Sequence, residues 1–159
     1  MDSNMISDAF DTPQTPNSSD LRLEDRKILI VDDDREVQES IDQALQAEGA
    51  LTQICGDGNS AVRICENDPP QLVVLDMMLP KRSGFLVVEK IKQIENPPRI
   101  IMVTANEGKR HQQYAIGLGV DGYLLKPVRL ERLITMAQEM LAKDDPQPTD
   151  EPQNIDDDA

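Results

Sequence analysis

The sequence predicts a doubly wound α/β fold, a five-stranded parallel sheet with helices on both faces. Three observations predict it. Short apolar runs rich in β-branched residues alternate with helical patterns along the middle of the chain. The strongest runs are continuous in apolar character, as strands buried on both faces are. Five strand–helix units in succession leave a parallel sheet covered on both sides as the natural packing.

The elements follow in order. Lys27–Val31 (KILIV) is the first strand. Val37, Ile41, Ala44 and Leu45, spaced i, i+4, i+7, i+8, give a helix, with Gly49 as its stop. Leu51–Ile54 is weaker and more polar, which suits an edge strand. A modest helix fits Ser60–Glu66. Leu72–Leu75 (LVVL) is the third strand, and Val87, Ile91 and Ile94 mark a helix ended by Pro97-Pro98. Ile100–Val103 (IIMV) is the fourth strand, followed by a weak helix over Gly108–Leu118. Tyr123–Leu125 is a short fifth strand. Leu130, Leu133, Ile134, Ala137, Met140 and Leu141 form a strongly amphipathic last helix.

Charge divides the chain. Of a net −14, residues 1–25 carry −5 and residues 142–159 carry −6, leaving −3 for residues 26–141. Both ends are also rich in Pro, Ser, Thr, Asn and Gln, and have little to bury. The expected organisation is a disordered acidic extension at 1–25, a domain at 26–142 and a disordered acidic tail at 143–159. A chain of residues 24–143 is expected to fold alone. The negative balance argues against direct DNA binding, which relies on cations to neutralise phosphates. No apolar run approaches the ~20 residues needed to span a bilayer, and Met1–Phe10 has no basic and apolar leader pattern. Cys55 and Cys65 are too few for a disulfide scaffold. A cytoplasmic protein with no membrane insertion is expected.

The residues that follow the strands carry the chemistry. The first strand runs into Asp32, Asp33 and Asp34, the third into Asp76, the fourth into Thr104 and the fifth into Lys126-Pro127. In an open parallel sheet these ends share one edge, where ligands bind. Clustered carboxylates repel and are driven to protonate unless a cation joins them. Oxygen ligands with positions left for water favour Mg²⁺. An added Lys and Thr suit the oxygens of a phosphoryl group. A carboxylate can itself be the nucleophile, and Asp76, alone at the end of the central strand, is the best candidate.

At this point the chain resembles the receiver domain of two-component response regulators. The matching pieces are ILIVDDD at 28–34, LVVLDMMLPKRSG at 72–84, IIMVTA at 100–105 and GVDGYLLKP at 119–127. The resemblance implies a flavodoxin-like fold with strand order 2-1-3-4-5. It implies that Asp76 accepts a phosphoryl group from a sensor histidine kinase or a histidine phosphotransfer protein. It implies Mg²⁺ as cofactor, with Asp33 a direct ligand, Asp32 acting mostly through water, Asp76, and the backbone carbonyl of Met78. Thr104 and Lys126 match the switch hydroxyl and the phosphate-binding lysine. Tyr123 matches the aromatic switch residue, and Lys126–Pro127 the cis peptide.

Plainer readings stand beside these. Asp34 fits an N-cap, and one residue of Asp32-Asp33 does too, but not both. Pro80 and Gly84 read as loop formers, His111 as a surface residue, and Cys55 and Cys65 as small hydrophobes. Tyr123 on its own reads as a strand aromatic. Phe85 and Leu86-Val87-Val88 read as core. A haloacid-dehalogenase-like phosphatase needs an acid two residues after the nucleophile, where Met78 stands. A Rossmann nucleotide site needs a Gly-rich turn where Asp32-Asp33-Asp34 stands. No helix-turn-helix pattern follows the domain. The expected protein is therefore a stand-alone signalling switch, not an enzyme acting on outside substrates. It signals to an unknown downstream protein by binding or by onward phosphotransfer. Homodimerisation through the face near Tyr123 is left open.

Overall fold

A computed structural model describes residues 21–105 and 108–145. The expected disorder of residues 1–20 and 146–159 lies outside these residues, as does Asn106. The elements are β1 (Lys27–Val31), α1 (Arg35–Ala47), β2 (Leu51–Cys55), α2 (Gly58–Asn67), β3 (Leu72–Asp76), α3 (Gly84–Lys92), β4 (Arg99–Thr104), α4 (Lys109–Leu118), β5 (Gly122–Leu125) and α5 (Leu130–Asp144). All strand pairs are parallel, and the order is β2-β1-β3-β4-β5. The two weak helices are present. β2 is an edge strand, as its polar character required, with Leu51 53% exposed.

The continuous apolar strands divide their side chains between two cores, because successive residues point to opposite faces. Ile28, Ile30, Leu72, Val74, Ile101, Val103 and Leu124 pack on one face, against Ile41 and Leu45 of α1 and Leu133, Ile134, Ala137 and Leu141 of α5. Leu29, Val31, Val73, Leu75, Ile100 and Met102 pack on the other. There they meet Ala61, Val62 and Cys65 of α2, Val87, Val88 and Ile91 of α3, and Ala115 of α4. Helix starts are fixed locally. The Asp34 carboxylate accepts from the Glu36 and Val37 N–H groups, Asp57 accepts from Ser60, and the Ser83 hydroxyl accepts from Leu86.

Two expectations are corrected. Leu86 is not core but 52% exposed. In α3 the inward positions are Gly84, Val87, Val88 and Ile91, spaced i, i+3, i+4, i+7, and Leu86 falls outside that stripe. Phe85 is half-buried, with its ring edge-on to Tyr114 at 4.9 Å and stacked on exposed His111 at 6.2 Å.

The packed region also begins before residue 26. Leu23 is fully buried within the α1/α5 core. Its N–H donates to the Glu48 carbonyl at 2.9 Å. Arg22 pairs with Glu48 at the end of α1 and with Glu131 at the start of α5, at 2.8 and 2.6 Å. At the other end α5 runs to Asp144, and Asp145 pairs with Arg26. One buried leucine and these pairings order residues that composition alone assigns to a polar tail.

Candidate functional site

Strand register decides which polar residues meet. Val31 is level with Leu75 across β1 and β3, so Asp32 arrives beside Asp76 at the end of β3. Thr104 is level with Leu125, which puts Lys126 one step beyond it. The Lys126 N–H donates to the Thr104 carbonyl at 2.8 Å, and the Lys126–Pro127 bond is cis.

Asp32 and Asp76 are buried, at 2% and 5% exposed, while Asp33 is exposed. One carboxylate oxygen from each of the three lies within 4.8 Å of the others. It is the one group of three such ligand residues among the described residues. Lys126 Nζ lies 2.8 Å from Asp32 Oδ2 and 3.4 Å from Asp76 Oδ2. Backbone N–H groups hold the remaining oxygens. That of Asp34 donates to Asp32 Oδ1 at 2.8 Å, and that of Met78 donates to Asp76 Oδ1 at 3.1 Å.

The loop after β3 is folded tightly enough to aim Met78. The Gly84 N–H donates to the Met77 carbonyl at 2.9 Å. A Cβ at Gly84 would sit 2.6 Å from Met77 Cα and 2.7 Å from the Asp76 carbonyl oxygen. Only glycine lets α3 start this close to the strand end. Pro80 accepts from Arg82, closing a turn in which Lys81 has φ 67°. Pro80 and Gly84 are thus loop formers.

The electrostatics are unbalanced. Burial pushes the Asp76 carboxyl up from its ordinary value, and the Asp32 charge adds to this. The Met78 N–H and Lys126 pull the other way without cancelling it. Burial alone would lower Lys126, but its hydrogen bond to Asp32 and the charges of Asp76 and Asp32 outweigh that, and its pKa is raised. One ammonium thus pairs with two of three clustered carboxylates. A site with surplus negative charge, all-oxygen donors and one exposed ligand fits a hard divalent cation that keeps some of its water.

The other residues singled out in the sequence are placed as follows. Thr104 is fully buried at the end of β4. Tyr123 is half-buried and packs against the α2/α3/α4 core. The Met78 side chain is 69% exposed beside the acids. Sequence reasoning missed Gln38, whose carboxamide reaches back to the carbonyls at the ends of β1 and β2. Its place one turn after the Asp34 cap is shared with any polar first-turn residue and did not single it out.

The family profile described as the response regulator receiver domain matches residues 28–138. The chain belongs to the response regulator receiver family. Response regulator MprA of Mycolicibacterium vanbaalenii is 32% identical over 120 residues, covering 76% of this chain and 52% of the relative. MprA of Mycobacterium avium is 31% identical over 121 residues, covering 76% and 53%. The chain spans about half the length of the curated relatives it matches. Among solved structures, a CheY-like receiver domain protein from Methanospirillum hungatei superposes with TM-score 0.72 at 29% identity, covering 76% of this chain and 96% of that one. The receiver domain of Francisella response regulator 1452 shares the fold at TM-score 0.70 and 23% identity, covering 76% and 98%. Membership in this family implies phosphorylation-dependent signalling. Among the described residues of this receiver domain, no helix is long and apolar enough to cross a membrane.

Proposed function

We propose that this receiver domain is phosphorylated on Asp76 by a histidine kinase or a histidine phosphotransfer protein, with Mg²⁺ bound by Asp32, Asp33, Asp76 and the Met78 carbonyl. The observation that carries this is a buried Asp76 clustered with Asp32 and Asp33, with Lys126 Nζ at 3.4 Å.

An Asp76 carboxylate oxygen attacks the phosphorus of a phosphohistidine. The P–N bond breaks, the electron pair leaves with the imidazole nitrogen, and an acyl phosphate remains on Asp76. Bound Mg²⁺ supplies charge neutralisation for the phosphoryl oxygens. The Met78 N–H holds Asp76 Oδ1, and Oδ2, which faces Lys126 Nζ at 3.4 Å, is the oxygen that reacts. Lys126 stands where an ammonium meets the incoming oxygens and offsets the added charge, about −1.5 to −2 at neutral pH. Thr104 closes β4 beside this point, and its hydroxyl is drawn to the phosphoryl group. Tyr123 then repacks, and the α4–β5–α5 face changes shape, a shift between states that differ in affinity for the phosphorylated site. The effect passes to a downstream protein by binding or by onward phosphotransfer. Cys55 and Cys65 remain thiols, which suits a cytoplasmic setting.

Acetyl phosphate with Mg²⁺ should add a single base-labile phosphoryl group, read by intact mass. Asp76→Asn should add none, and equal modification of that variant would refute the assignment.

The lifetime of the acyl phosphate has its own test. Water must attack in line, opposite the Asp76 oxygen, and the exposed Met78 thioether offers it no strong acceptor. Met78→Asn should therefore hydrolyse faster, by roughly three- to thirty-fold if one placed hydrogen bond contributes ~1 kcal/mol or somewhat more. Decay of phosphoprotein in Mg²⁺ without a kinase measures this. An unchanged rate means that position 78 does not govern water access.

A further inference from the structure

Of the three clustered acids, two are held through their own carboxylates. Asp32 is gripped by Lys126 and the Asp34 N–H, and Asp76 by Lys126 and the Met78 N–H. Asp33 is exposed, so the direction of its side chain is set mainly by its backbone. That backbone begins with the peptide unit joining Asp32 to Asp33.

We propose that Gln38 is a positioning residue that fixes this peptide unit and thereby aims Asp33 at the metal. The Gln38 Nε2 group donates to the Asp32 carbonyl, whose oxygen belongs to that unit, and to the Cys55 carbonyl at 3.4 Å. The Asp32 N–H donates to the same Cys55 carbonyl at 3.2 Å. The ends of β1 and β2 are thus closed around one carboxamide. Both partners are acceptors, so only the nitrogen side of an amide fits, and its two protons match two carbonyls.

The helix geometry explains why residue 38 does this. The Asp34 carboxylate caps α1, and the Gln38 N–H donates to the Asp34 carbonyl as the first-turn bond. Helical side chains lean toward the N-terminus, so a long side chain one turn in reaches back over the β1–α1 loop. Gly56 lies beside the carboxamide, where even an added Cβ would make only ordinary contact, 3.7 Å from Gln38 Nε2. Mg²⁺ demands near-ideal octahedral geometry, whereas Ca²⁺ accepts irregular sites. Loosening Asp33 therefore penalises Mg²⁺ more than Ca²⁺.

This rests on the reading of the three acids as a Mg²⁺ site. The test is calorimetric titration of the full chain with Mg²⁺ and, separately, Ca²⁺. The variants are Gln38→Met, which keeps length and removes both donors, and Gln38→Asn, which keeps the amide but is one methylene too short. Both should bind Mg²⁺ about three- to ten-fold more weakly, the scale of one lost hydrogen bond. Both should lose less for Ca²⁺. A purely structural Gln38 would lower thermal stability and leave the Mg²⁺/Ca²⁺ affinity ratio unchanged, and that result overturns the inference. A parent chain that binds no Mg²⁺ overturns the metal site itself, and the inference with it.

Discussion

Leu23→Ala is expected to lower the unfolding free energy by about 2–4 kcal/mol, within the range for truncating a fully buried leucine. Leu23 has no exposed surface and packs among the α1 and α5 side chains that cover one face of the sheet. Its loss removes apolar contact and leaves a cavity under the segment that enters β1. Arg22→Ala is expected to cost less, because both its pairs, with Glu48 and with Glu131, keep solvent contact. A chain beginning at residue 24 loses both residues, and should unfold at lower denaturant than one beginning at residue 21. Urea titration of the parent and Leu23→Ala gives the comparison. An unchanged midpoint would mean that Leu23 is not part of the core.

Lys126→Ala is expected to fold but to be destabilised at neutral pH without Mg²⁺, by roughly 2–3 kcal/mol, because removing one partner leaves buried charge uncompensated. The figure is kept below the usual range for a buried pair because the lysine side chain is 22% exposed. The sign with pH follows from Asp76, whose pKa is raised in the fold. A carboxyl raised in this way favours the folded state below its unfolded pKa, ~3.9. That support is lost as pH rises through the folded value. Removing the ammonium raises Asp76 further and extends the loss to higher pH. The deficit relative to the parent should thus be small near pH 4 and largest near neutrality. Mg²⁺ should narrow it, since the metal takes over part of the neutralisation and loses a competing cation. Denaturant midpoints at acid and neutral pH, with and without Mg²⁺, separate these effects. Equal deficits under all four conditions would sink the electrostatic account.

The sheet was legible because its strands are buried on both faces. KILIV, LVVL and IIMV read as strands without knowledge of their neighbours. The acids were legible for a related reason. Polar residues directly after such runs must lie along one edge, and the register then brings Asp32 and Asp76 level. Other features had no such signal. Leu23 sits in LRLED, between charges, with no period to mark it as buried. Leu86 lies in an apolar run, and only the phase of α3 shows that it faces outward. Gln38 resembles any polar residue on an amphipathic helix. Its partners are backbone carbonyls, which sequence does not distinguish.

The Arg26–Asp145 pair joins the residue before β1 to the residue after α5 at 2.5 Å. Parallel strands all point toward the acids, so this junction lies at the opposite pole. The described domain is therefore nearly a closed loop of chain, clasped at the far side from its chemistry. Such a topology suits circular permutation, with a short linker across the clasp and new ends opened in a surface turn. The clasp and the acids thus lie at opposite ends of the sheet, with the length of the strands between them.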